Sequence, residues 1–214
     1  IMQAIAIRSE LSAALGIACK IVSRRNTVPA LANIALVEEA GTLIARASDC
    51  DREVTINLGE SPVDRGFSFT IPAHALKDAE KKAPDSGEVE ISVSDDGKAR
   101  FGFGKLSLAM IGLPFADYVE ADAPVIMSAP LHADFRASRA DMLAMLDKVE
   151  FAISAEETRY YLNGICMLSD AAGELRFVAT DGHRLALYTM PAREGVPENM
   201  VGVIIPTSTV KTLR

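Results

Sequence analysis

Two periodicities alternate along the chain. Leu11, Ala14, Leu15 and Ala18 recur at the three- and four-residue spacing of one helix face, and Ser9 stands where an N-cap would. Met142, Met145, Leu146 and Val149 repeat that spacing after Ser138. Between the helical stretches the pattern drops to period two, the signature of half-buried strands. It predicts strands over Ala32–Glu38, Leu43–Ser48, Glu53–Leu58 and Phe67–Ile71, then Val89–Ser94, Ala99–Gly104 and Lys105–Ile111. A second helix is expected from Pro72, since proline suits a first helical turn. The opening Met2–Ile7 alternation reads as a strand feeding the first helix. It has no basic lead and is too short for a signal peptide.

The pattern occurs twice. Asn33-Ile-Ala-Leu-Val and Gly41-Thr-Leu-Ile-Ala-Arg-Ala-Ser-Asp-Cys-Asp-Arg52 match Asn163-Gly-Ile-Cys-Met and Gly173-Glu-Leu-Arg-Phe-Val-Ala-Thr-Asp-Gly-His-Arg184. Gly41 pairs with Gly173, Ala47 with Ala179, Ser48 with Thr180, Asp49 with Asp181 and Arg52 with Arg184. Ile71-Pro72 is mirrored by Ile205-Pro206, and Arg8–Leu11 by Arg139–Met142. The reading is α+β: two copies of one domain, each with helices on one face of antiparallel sheets. The expected layout is a first domain over 1–120, a linker over 121–130 and a second domain over 131–214. The second copy runs only as far as the helix after Pro206. An unfinished sheet would leave open edges, so the natural chain is expected to continue.

Composition narrows the class. No run approaches the ~20 apolar residues of a membrane span. Cys19, Cys50 and Cys166 are far apart and form no C-x-x-C pair, which suits reduced thiols in a cytoplasmic protein and no cofactor or metal. Cys19 and Cys166 read as small buried apolar residues. The net charge of −7 taken alone argues against nucleic acid.

The segments Arg159-Tyr-Tyr-Leu-Asn-Gly164 and Val178-Ala-Thr-Asp-Gly-His-Arg-Leu-Ala186 resemble the central domain of the bacterial sliding clamps, the beta subunits of DNA polymerase III. Thr27–Asn33 and Leu113-Pro-Phe-Ala-Asp-Tyr118 are similar to the first domain of that family, so the likeness extends over the whole sequence. The resemblance implies a non-catalytic processivity factor of three such domains per chain, the third being absent here. Two chains would join head to tail into a ring around duplex DNA, with helices lining the hole and sheets on the rim. It implies DNA contacts at Arg24, Arg25, Lys81, Lys82, Arg159 and Tyr160. Leu162, Thr180, Gly182, His183, Arg184 and Leu185 match its groove for short apolar peptide motifs. Leu162 and Leu185 would line a pocket there, with both motifs on neighbouring strands of one hairpin. Lys105 and Leu108 would lie on an edge strand at the homodimer interface. The implied partners are double-stranded DNA read without sequence preference, the polymerase III catalytic subunit, the clamp loader and other motif-bearing proteins.

Charge placement agrees with that reading. The helix-bearing segments 9–26, 72–83, 131–154 and 206–214 carry +2, +1, −1 and +2, hence +4, leaving −11 for the remainder. A mildly basic lining inside an acidic rim permits weak phosphate contact and sliding. Two alternatives stand beside it. A clamp-fold paralogue would bind peptides without encircling DNA. A hydrolase would use Asp181 and His183, or Asp49 and Asp51 as metal carboxylates. No nucleophile elbow, P-loop or ligand cluster accompanies those residues, and the Asp49/Asp181 equivalence favours a repeated structural turn.

Overall fold

Alternation over Met2–Ile7 builds strand β1, which passes directly into helix α1 (Arg8–Ile21). A computed structural model describes residues 1–24, 26–84, 87–119, 136–191 and 194–214. The chain divides into two compact units, Ile1–Val125 and Ile126–Arg214. The linker expected over 121–130 lies outside the described residues.

In the first unit α1 is followed by β2 (Asn33–Glu39), β3 (Thr42–Ser48), β4 (Glu53–Asn57) and β5 (Ser68–Pro72). Helix α2 (Ala73–Glu80) then leads to β6 (Glu88–Val93), β7 (Lys98–Phe103) and β8 (Leu106–Ile111). Two antiparallel sheets result, in the orders β4-β3-β2-β5 and β1-β6-β7-β8. The β2–β3 turn shows why the residues suit the element. Glu39 pairs with Thr42, and the two residues between them, Ala40 and Gly41, have φ of 52° and 80°. Two positive φ values match the right-handed twist of the hairpin. The sheets meet where Thr70 and Leu113 exchange backbone hydrogen bonds of 2.9 and 3.0 Å. Gly112 beside this junction has no room for a side chain, because a Cβ would lie 2.1 Å from the Thr70 carbonyl oxygen.

Leu11, Ala14, Leu15 and Ala18 are buried, as their spacing requires, with α1 against β3, β4 and α2. Their core continues through Leu36, Phe67, Phe69, Phe101 and Phe103. The capping expectation fails. The helix begins at Arg8, its N-cap is Ile7, and no side chain caps it. Arg8 is in place to anchor elsewhere. Its Nε donates to Glu80 Oε1 at 3.1 Å, and one Nη donates to the carbonyls of Glu80 and Ala83, both at 3.0 Å. This largely buried pair ties the end of α2 to the start of α1.

The second unit runs α3 (Arg139–Val149), β9 (Gly164–Ser169), β10 (Leu175–Thr180), β11 (Leu185–Met190), β12 (Val203–Pro206) and α4 (Thr207–Leu213). Here the serine cap is real: Ser138 Oγ accepts the Asp141 amide at 3.0 Å. The sheet order, β11-β10-β9-β12, repeats β4-β3-β2-β5 strand for strand. Helix α3 lies against β10 and β11 as α1 lies against β3 and β4. Register moves one pairing by a residue. Pro72 faces Asn33, but Pro206 faces Gly164, so Gly164 and not Asn163 occupies the place of Asn33. The helix pair is fastened with reversed polarity, Arg214 of the α4 end bonding to Asp147 of α3 at 2.9 Å and to Glu150 just beyond it. Cys19 and Cys166 are half-buried, not fully buried as expected, and Cys50 is exposed. Burial raises the Cys19 thiol pKa above its ordinary value.

Candidate functional site

The turn between β10 and β11 is a closed polar clasp. Thr180 Oγ1 accepts the Gly182 amide at 3.1 Å and donates to the Arg184 carbonyl at 2.7 Å. Asp181 Oδ1 accepts the amides of His183 and Arg184, both at 3.0 Å, and its Oδ2 accepts Arg184 Nε at 2.9 Å. Those two amides, with the Arg184 guanidinium, hold the Asp181 carboxyl below the usual aspartate range. Both carboxylate oxygens therefore serve the turn. The β3–β4 turn is built alike. Ser48 Oγ accepts the Cys50 amide at 3.2 Å, and Asp49 accepts the Arg52 amide at 2.8 Å and Arg52 Nε at 3.0 Å. Asp49 is thereby committed to the same structural task. The third residue of each turn has positive φ, 76° at Cys50 and 88° at Gly182.

The expected groove residues gather around this turn with one change. Leu162 is not on a strand. It ends the 3-10 segment Glu157–Leu162, and its carbonyl accepts the Ser154 amide at 3.1 Å. The β9–β10 ladder ends where Val178 pairs with Cys166, so Leu162 lies before the paired part of β9. Leu185 stands 65% exposed on β11, an edge strand, and is not the wall of an enclosed cavity. Gly164 is a packing residue: a Cβ there would lie 2.4 Å from the Ile205 carbonyl oxygen.

Two residues near this corner carried no sequence signal. Phe151, exposed beyond α3, has the Arg184 guanidinium over its ring at 5.6 Å. Leu187 is 56% exposed, two residues along β11 from Leu185 and therefore on the same face. In sequence, Leu-Ala-Leu-Tyr-Thr is an ordinary alternation that does not say which face is covered.

The basic candidates fall into two groups. Arg24 follows α1, and its Nη1 donates to Asp78 Oδ2 of α2 at 3.0 Å, which lowers the Asp78 pKa. Lys81 and Lys82 are exposed just past α2, and Lys81 shares the electrostatic surroundings of Cys19 with Arg24. Arg25 lies outside the described residues. Arg159 belongs with the clasp. Its Nη1 is 3.2 Å from where a Gly182 Cβ would sit, and its Nε pairs with Glu156 at 3.1 Å. Tyr160 is 78% exposed and meets Tyr161 edge to face at 5.7 Å. Strand β8 is an edge, as expected for the segment from Lys105. Lys105 is exposed in the turn before it, whereas Leu108 is half-buried against the core.

Comparison with known proteins places these features in a family. Residues 2–122 match the N-terminal domain, and residues 138–214 the central domain, of the DNA polymerase III beta subunit. The chain is 40% identical over 211 residues to the beta sliding clamp of Caulobacter vibrioides, covering 97% of this chain and 55% of that protein. It is 31% identical over 184 residues to that of Escherichia coli K12, covering 85% and 47%. The chain thus spans about half the length of the curated relatives it matches. The crystal structure of the Bartonella birtlesii sliding clamp bound to griselimycin superposes with a TM-score of 0.86 at 37% identity, covering 100% of this chain and 56% of that one. The Caulobacter crescentus clamp gives 0.84 at 38% identity, over 99% and 56%. With both of its units matched in order, the chain belongs to the family of DNA polymerase III beta subunits, the bacterial beta sliding clamps.

Proposed function

We propose that this chain forms the first domain and part of the second in a sliding clamp that encircles duplex DNA and tethers the replicative polymerase. The observation that carries the reading is the repeated sheet, β4-β3-β2-β5 and β11-β10-β9-β12, in units that match the N-terminal and central clamp domains in order. Arg24, Arg25, Lys81 and Lys82 of the first unit, with Arg159 and Tyr160 of the second, are assigned to sequence-independent DNA contact. The clasp with Leu162, Thr180, Gly182, His183, Arg184 and Leu185 is assigned to apolar peptide motifs of the polymerase III catalytic subunit, the clamp loader and other partners. A relative bound to griselimycin supports a ligand site in this family. The edge strand β8, with Lys105 and Leu108, is assigned to homodimer closure of the complete protein. The role is non-catalytic and cytoplasmic; among the described residues no helix is long and apolar enough to cross a membrane.

The test is topological. The complete protein, loaded on nicked circular DNA by its clamp loader, stays bound, and it runs off when the circle is cut once. Equal retention on cut and uncut DNA would show that the protein does not encircle its substrate.

A further inference from the structure

The two turns form an internal control for the peptide site. The clasp is common to both units: Ser48 and Thr180, Asp49 and Asp181, Arg52 and Arg184 make matching hydrogen bonds. A device present in both copies is sufficiently explained by closing the turn. What distinguishes the second unit lies at the divergent positions. By the register of β10 with β11 and of β3 with β4, Leu185 occupies the place of Glu53 and Leu187 that of Thr55. All four are exposed, on edge strands. The second unit thus exposes two leucines on one strand face where the first exposes a carboxylate and a hydroxyl. Their β10 partners are Thr180 and Val178, and Cys166 lies across from Val178 on β9, all half-buried. The leucines therefore border a partly apolar strip of sheet, continuous with the clasp.

Resting on the peptide-binding reading above, we propose that Leu187 is a recognition residue of that site. The occupant is a short peptide segment with apolar side chains. An apolar ligand gains buried apolar surface against Leu185 and Leu187 that the shorter or charged side chains at the matching places of the first unit do not offer. Binding energy at such sites concentrates in a few apolar anchors.

Griselimycin, the ligand held by relatives of known structure, serves as the probe on the complete protein. Leu187→Thr, which installs the residue of the first unit, should weaken its binding by about tenfold, the loss of roughly one anchor. Leu187→Met should restore most of the affinity. Leu185→Glu reports on the underlying reading, and circular dichroism on each variant confirms the fold. Loss of binding with Leu185→Glu but none with Leu187→Thr would overturn this proposal and leave the peptide site standing. Unchanged binding in both variants would overturn the site itself.

Discussion

Gly164 shows how a motif residue that resembles a ligand contact can be a packing requirement. It lies inside the Arg159–Gly164 signature, yet β12 passes so close that a methyl group would meet the Ile205 carbonyl oxygen at 2.4 Å. Gly164→Ala should destabilise the second unit by about 1–3 kcal/mol, the usual cost of overpacking, read as a lower urea midpoint. Glu80 is the corresponding test in the first unit. Removing its carboxylate takes a charged partner from the largely buried Arg8, while the Glu80 and Ala83 carbonyls and the Phe103 ring remain. Glu80→Ala should cost about 3 kcal/mol, at the lower end for breaking a buried pair because those carbonyls remain. Asp181 contributes through pH. Its folded pKa lies below that of a free aspartate, so its contribution is complete above about pH 4 and is lost as the pH falls through the depressed value. Amide exchange at His183 and Arg184 should therefore gain protection as acid is neutralised. Equal protection at all pH values would show that the carboxylate does not hold the turn.

At the scale of elements, edge strands decide where other chains can attach. In β8 the side chains of Leu106, Leu108 and Met110 pack toward the core, while Ser107, Ala109 and Ile111 face outward, Ile111 being 75% exposed. Charge at Leu108 would damage the core and the edge together. The informative variant is Lys105→Glu with Ile111→Asp, which alters only exposed positions. Sedimentation of the complete protein should show this variant dissociating at higher concentration than the parent. An unchanged dimer would remove β8 from the interface. The helices behave differently in the two units. Arg8 of α1 holds α2 by its carboxylate and carbonyls, whereas Arg214 beyond α4 holds carboxylates at the end of α3. One architecture is thus fastened by unrelated pairs in its two copies.

For the whole molecule, the relevant quantity is charge placement, −7 overall but +4 on the helix-bearing segments. Arg24 is engaged by Asp78, so the proposed contact with a phosphate would exchange one exposed ion pair for another, a small change in free energy. Weak, exchangeable contacts of that kind would suit the proposed movement along DNA. Replacing Arg24 with alanine in the complete protein should reduce the salt dependence of DNA binding by about one unit of slope, with no sequence preference before or after. An unaltered slope would place Arg24 away from phosphate.

The repeat, the α+β class, the order of elements and the repeated turn at Asp49 and Asp181 were all legible in the linear chain. Each depends on local rules: two periodicities, glycine where φ is positive, proline at the strand-to-helix step, and Asp with Arg three residues apart to close a turn. Strand positions were correct to within a residue or two, and Ser138 was read correctly as a cap, because capping spans three residues. Tertiary structure decided the rest. Ser9 lost its capping role because β1 runs without a break into a helix anchored by Arg8 to Glu80, 72 residues away. Leu162 left its strand for a 3-10 turn, and Arg24 acquired Asp78 as a partner 54 residues on. The exposed face of β11 became known only when α3 covered the other face, leaving Leu185 and Leu187 outward. Local conformation, with the Asp–Arg pairs that close each turn, is written in neighbouring residues, whereas burial and the pairs of Arg8 with Glu80 and Arg24 with Asp78 depend on distant segments, and no short window of sequence contains both partners.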